Sequence, residues 1–341
     1  VSITSGRNVT LNDTGSIELG ESTISGSLTV TANGSITDSG NLSIAGATSL
    51  TAGAYNLVLN VSPDITLDEA NSFGGAVSSS AGGDITLNAT GGLTLGLTSA
   101  TGNLAVTTAG NLAQSAALNI TGSTSITAGT AADPNVFYAI RLTDAANDFG
   151  GVVNATGATD TYLTDVDAIA LGSITTSSLT VVANGDITDE GVLTVSGRIT
   201  LTAGSANDIT LDQANALHSV RVVSGRNVTL NDTNFIYLTG ATVSGNLAVT
   251  TAGFIDGSFG GNPVTVSGTT TFAAGSTGDI TFPLGNNFIG AVSITSGRNV
   301  SLRDYADIDL GSSTISGNLS ITANGSITDS AAITVAGTTS L

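Results

Sequence analysis

Apolar and polar residues alternate in short triplets along the chain, as in Val9-Thr10-Leu11, Ile17-Glu18-Leu19, Leu28-Thr29-Val30, Leu42-Ser43-Ile44 and Ile65-Thr66-Leu67. Alternation with period two, rich in β-branched residues, predicts short strands with one face turned inward. Gly, Asn, Asp and Ser separate the triplets, and these residues supply turns because they tolerate left-handed backbone angles or bond their own backbone. No stretch sustains a 3.6-residue period, and Ser, Thr, Asn and Gly are poor helix formers, so no helix is expected.

The triplets belong to a longer repeat. Residues 1–50 align without a gap on residues 292–341, with 34 of 50 positions identical. The junction Phe73-Gly74-Gly75 recurs as Phe149-Gly150-Gly151, Leu217-His218-Ser219 and Phe288-Ile289-Gly290, at spacings of 76, 68 and 71. Units of approximately 1–76, 77–152, 153–220, 221–291 and a partial 292–341 follow. Val9 to Leu28 is 19 residues, Ile65 to Ile85 is 20, and the 37 from Leu28 to Ile65 reads as two similar steps. Each unit then holds four steps of about 17 to 20 residues, each with three short strands, which suits a stacked parallel coil rather than a hairpin meander. The expectation is an all-β fold: one continuous right-handed parallel β-helix (β-solenoid) of about eighteen coils. The six-residue apolar anchor of the left-handed form is not sustained. Small residues such as Ala45, Ala105 and Ala248 are expected inside, keeping the cross-section narrow.

Composition narrows the class. Forty per cent of the 341 residues are hydrophobic and only 10% charged, which argues against disorder. The net charge of −19 opposes binding to nucleic acid or anionic membranes. No apolar run approaches the ~20 residues of a membrane helix. Cys is absent, which removes disulfide and thiol chemistry. Lys is absent too and Arg numbers seven, so trypsin-like proteases find few sites. Val1 follows no Met and no signal pattern, and the chain is expected to be a segment of a longer one.

Candidate chemistry is sparse. His218, the lone histidine, sits at a junction where other units carry Gly150 or Ile289, and nothing in the sequence supplies a partner to make it a base or ligand. Carboxylate groups such as Asp160, Asp165 and Asp167, or Asp304, Asp307 and Asp309, are the nominees for a polysaccharide-cleaving pair. They do little to break the repeat, however, and no enzymatic activity is expected. Asp13, Asp232 and Asp304, with Asp38, Asp189 and Asp329, follow apolar triplets and are expected to bond local backbone in turns. No cofactor is expected, and at most weak binding of a divalent cation such as calcium. Arg7, Arg226 and Arg298 share one repeat slot and are expected to pair with carboxylates on neighbouring coils. The first two units carry seven extra residues near 55–61 and 131–137, and the fourth a smaller insertion at 258–263. Insertions in solenoids map to loops on one face, which makes Tyr55, Leu57, Val58, Asn135, Phe137, Tyr138 and Phe259 candidate surface-contact residues.

GSITDSG at 34–40, AGTTSL at 336–341, NDITLDQANAL at 207–217 and SGRNVTLND at 224–232 resemble the β-strand repeats of filamentous-haemagglutinin-like large exoproteins of Gram-negative bacteria. The resemblance covers the whole chain and implies an exported protein built as a long β-helix, used as a surface fibre, an adhesin or a toxin-delivery stalk. Neither that family's export domain nor a toxin is visible, so no residue takes a role from it. The expectation is a structural segment of an extracellular or cell-surface fibre, self-associating end to end or laterally, and not membrane-spanning. An adhesin gripping glycan or a host protein through its inserted loops is the second reading, and a β-helical polysaccharide enzyme a remote third.

Overall fold

The computed structural model describes residues 1–54, 62–129 and 137–341. Strands of two to nine residues follow one another around each turn: Ile3–Gly6, Val9–Asp13 and Ile17–Leu19, then Ser22–Ile24, Leu28–Ala32 and Ile36–Asp38. Each strand bonds the strand one turn further on, not its chain neighbour, and the pairing is parallel, as in Val9 opposite Leu28 and Ile17 opposite Ile36. The result is an all-β parallel β-solenoid of about sixteen turns, with no helix among the described residues.

The chain forms two compact units, Val1–Thr176 and Ser177–Leu341. In the first, Ile17, Ile36, Ile65, Ile85, Leu104, Thr124, Val153 and Leu171 stack in one column. In the second, Ile187, Ile209, Val228, Leu247, Thr270, Val292 and Leu310 do the same. The period-two pattern makes this core: in Leu28–Ala32, Leu28, Val30 and Ala32 are buried while Thr31 faces water. Each buried Leu, Ile or Val contributes about 1.5–3 kcal/mol, and in a stacked coil that gain accrues between nearest neighbours.

Two expectations are corrected. Leu28 and Ile65 are not two steps apart on one face: Leu28 stacks on Thr48, and Ile65 on Ile36. The turns that carry the extra residues advance 29 residues, as from Thr48 to Val77 and from Thr124 to Val153, and the chain completes about sixteen turns, close to the expected count. Ala45, Ala105 and Ala248 are not interior. With Leu104 and Val106 turned inward, alternation sends Ala105 outward, and Ala248 between Leu247 and Val249 follows suit. The small interior residues are others, among them Ala32, Ala89, Ala128 and Ala203.

Corners stack backbone on backbone. A Cβ on Gly75 would lie 2.6 Å from the Gly46 carbonyl carbon, which explains glycine at this corner. In the fourth repeat an aromatic stack fills the interior, Phe272 on Phe282 at 4.8 Å with Phe288 edge-on to both.

Candidate functional site

Polar side chains do three different things in this solenoid. On one corner they form a ladder in which a side-chain oxygen accepts the backbone N–H of the matching residue one turn on. In the first unit Ser35 donates to Ser16 Oγ (3.1 Å), Asp64 to Ser35 Oγ (3.0 Å), Asp84 to Asp64 Oδ1 (2.8 Å) and Asn103 to Asp84 Oδ1 (2.7 Å). In the second, Asp208 donates to Asp186 Oδ1, Asn227 to Asp208 Oδ1 and Asn246 to Asn227 Oδ1. Two arginines clasp this ladder. Arg226 makes a bidentate pair with Asp208 (2.8 Å for both bonds), and Arg298 with Asp279 (2.8 and 2.7 Å). Hydrogen bonding from Arg226 holds the Asp208 carboxyl well below its usual range, and Arg298 holds Asp279 at about 2. Arg226 and Arg298 therefore pair between coils as expected, whereas Arg7 in the same slot makes no ion pair among the described residues.

The second device is internal. Asn71, Asn147, Asn215 and Asn286 are buried at the same slot of four repeats, two residues before each junction residue Phe73, Phe149, Leu217 or Phe288. Each Oδ1 accepts a backbone N–H from the preceding turn: Leu42, Leu118, Leu193 and Val264, at 2.8–2.9 Å. The amide Nδ2 donates to Asp38 in the first repeat, Gln114 in the second and Asp189 in the third, and to backbone carbonyls in the fourth. On the following turn Asp165, Asp232 and Asp304 complete the bracket, each accepting from the junction residue, Phe149, Leu217 or Phe288. Their other oxygen accepts the N–H two residues on, which for Asp232 and Asp304 is the turn bond the sequence predicts. Asp38 and Asp189, expected to bond their local turns, accept instead from the following coil, from the Asp68 N–H and Asn71 and from the Asp212 N–H and Asn215. The inward bond was not predicted, although Asn-x-Phe/Leu recurs at every junction. Burial pushes the Asp38 and Asp232 carboxyls up, and Asp165, beside Asp167, up to about 6.

The third device occurs once. From Phe73 to Val77, Phe149 to Val153 and Phe288 to Val292 the corner takes four residues, but from Leu217 to Val220 it takes three. His218 closes this shortened corner with φ of 53°, the left-handed region otherwise held by glycines among the described residues. Beside it lies a cleft of about 310 Å³, lined by Thr194, Val195, Ser196, Ala216, His218, Asp232, Asn234 and Phe235. Rings gather at its edge. His218 stands 5.6 Å from both Phe235 and Tyr237, Phe235 stacks on Phe254 at 4.6 Å with 16° between planes, and Phe259 reaches Tyr237 at 5.5 Å. The sequence carries a signal for this: Phe235 and Phe254 are 19 residues apart, one turn of the coil.

Of the predicted contact residues, Tyr55, Leu57, Val58 and Asn135 lie outside the described residues. Phe137 is 71% and Phe259 59% exposed, and Phe259 joins the aromatic cluster. Phe137 and Tyr138 border a separate cleft with Arg141 and Asp160. Three of the six carboxylate nominees hold backbone: Asp165 and Asp304 sit in brackets, and Asp307 accepts the Ser326 N–H. Among the described residues, no three His, Cys, Asp or Glu side chains group as metal ligands.

Recurring brackets, corner ladders and apolar columns define a tandem-repeat β-solenoid. The chain belongs to a family described as repeats of unknown function, DUF5649, whose profile matches residues 6–80, 82–156, 158–224, 225–295 and 297–341. No curated protein and no solved structure matches it.

Proposed function

We propose that the chain is a structural segment of an extracellular or cell-surface fibre, a stiff, protease-resistant scaffold that associates with further copies end to end or side by side. The observation that carries this reading is the continuity of apolar columns and side-chain ladders from turn to turn within each unit. Such a fold ties each coil to its neighbours by backbone bonds on both sides, so cleavage needs several turns to open together. Seven Arg and no Lys leave trypsin few targets, and the acidic surface favours solubility. The resemblance to filamentous-haemagglutinin-like exoproteins supports export to the cell surface, and the carboxylates' structural duties support a role without catalysis or cofactor.

Small-angle scattering with limited proteolysis tests the reading. An elongated particle whose core survives trypsin is the expected result. A compact particle, or rapid cleavage at Arg198 or Arg221 within the strands, would sink it.

A further inference from the structure

We propose that the cleft at the third-repeat corner is a binding site for a neutral sugar ring, with the part of the Phe235 ring that lines the cleft as its stacking platform and the side chains of Thr194, Ser196, Asn234 and His218 as its polar rim. The geometry of Phe235 comes first. One face of its ring lies against Phe254, which belongs to the following turn, at 4.6 Å and nearly parallel. The opposite face is therefore turned toward the preceding turn, where His218 stands 5.6 Å away with its ring inclined by 64°, and the cleft opens beside it, past Ala216 to Thr194 and Ser196. A pyranose has one face of C–H groups ringed by hydroxyls. The negative face of an aromatic ring attracts those polarised C–H groups, while the hydroxyls need partners at the edge.

The rim supplies them. Thr194, Ser196, His218 and Asn234 are all exposed, and the apolar Val195 and Ala216 complete the lining. Charge narrows the ligand. No Lys or Arg lines the cleft, so it has nothing to hold a sialic acid, a uronate or a phosphate. Asp232 is its one carboxylate and is committed to backbone, accepting from the Leu217 and Asn234 N–H groups. A volume of about 310 Å³ falls at the small end of ligand sites, sized for one ring. The corner also departs from the repeat: it is one residue shorter, and it holds a non-glycine residue in left-handed conformation, strain of a kind that clusters at binding sites. Its lining lies wholly within residues 194–235, and it does not depend on the chain forming a fibre.

The test is saturation-transfer NMR on the 341-residue chain with methyl glucoside, methyl galactoside and methyl N-acetylglucosaminide, alongside sialyllactose and the dipeptide N-acetyl-Phe-Leu-amide. At least one neutral glycoside is expected to receive saturation on its ring C–H protons. Phe235→Leu, which keeps an apolar contact with Phe254 but removes the aromatic face, should lower that signal at least fivefold with the melting curve preserved. His218→Gly, compatible with the positive φ, should lower it two- to fivefold, and Tyr305→Ala, at an exposed residue outside the cleft lining, should leave it unchanged. Signal from the dipeptide alone, equal signal from sialyllactose, no signal from any glycoside, or a neutral-glycoside signal that survives Phe235→Leu each overturns the proposal.

Discussion

Replacing Asn215 by alanine should destabilise the second unit by about 2.5–4.5 kcal/mol, far more than an average polar substitution. The side chain is fully buried, and its Oδ1 accepts the Leu193 N–H at 2.8 Å. Alanine leaves that N–H without a partner in the interior, at a cost of about 1–3 kcal/mol. Its Nδ2 donates to Asp189 Oδ2 at 2.6 Å, a bond to a charged acceptor of the kind that contributes about 1.5–3 kcal/mol. Asp189 retains donors from Asp212 and Gln213, so its loss falls at the lower end. Urea unfolding followed by circular dichroism measures the total. Amide exchange localises it, because in a stacked coil the damage stays near the altered turn: Leu193 should lose protection while Ile85 in the first unit keeps it. Asn215→Asp preserves shape and the Leu193 acceptor but sets a second carboxyl against Asp189, and its cost should shrink as pH falls. An Asn215→Ala cost below about 1 kcal/mol, or an unchanged Leu193 exchange rate, would falsify the bracket as a stabilising element.

Further outcomes are expected elsewhere. Asp165 titrates at about 6 in the folded chain, above the ~3.9 of an unfolded Asp; its contribution is fully present below about pH 4 and is lost as pH rises through about 6, and an Asp165 carboxyl-carbon NMR midpoint below 4.5 would refute this. Asp279, held at about 2 by exposed Arg298, acts in the opposite sense: its stabilisation is present above about pH 4 and lost as pH falls through about 2, and because solvent screens this exposed pair Arg298→Ala should barely move a thermal melt at pH 7. Buried hydroxyls of Thr48, Thr124 and Thr270 have no hydrogen-bond partner, and the third repeat carries Ile199 in their slot, so Thr124→Val should stabilise by about 1 kcal/mol in urea. Gly151→Ala would set a Cβ 2.5 Å from the Gly122 carbonyl oxygen and should cost at least ~2 kcal/mol by the same assay.

Strands, turns and coil were readable from the sequence because each rests on local chemistry. Triplets such as Leu28-Thr29-Val30 declare an inward face, and a 19-residue step from Val9 to Leu28 declares a turn of the coil. The pairing of Arg226 and Arg298 followed from their shared slot for the same reason. Facing was lost where an insertion intervened, since nothing between Leu28 and Ile65 says which side of the coil the chain rejoins. The brackets were missed because asparagine reads as a turn former by composition, while the partners that bury Asn71 and Asn215 lie 29 to 33 and 22 to 26 residues away. His218 looked inert for want of a sequence neighbour. Its left-handed backbone and the rings stacked one turn apart are facts of the coil, visible in sequence only once the step is known.

The buried asparagines also solve a counting problem. Ile, Leu and Val columns look alike from one turn to the next, so a chain that stacked one turn out of place would still bury apolar side chains on apolar side chains. An asparagine bracket comes once in about four turns. Displaced by a turn, Asn215 would leave Asp189 and the Leu193 N–H behind and set its amide against hydrocarbon, at about 1–3 kcal/mol for each group stranded. Each bracket thus serves as an address, distinguishing one otherwise interchangeable floor of the stack from the next and making an assembly error expensive at the moment it occurs.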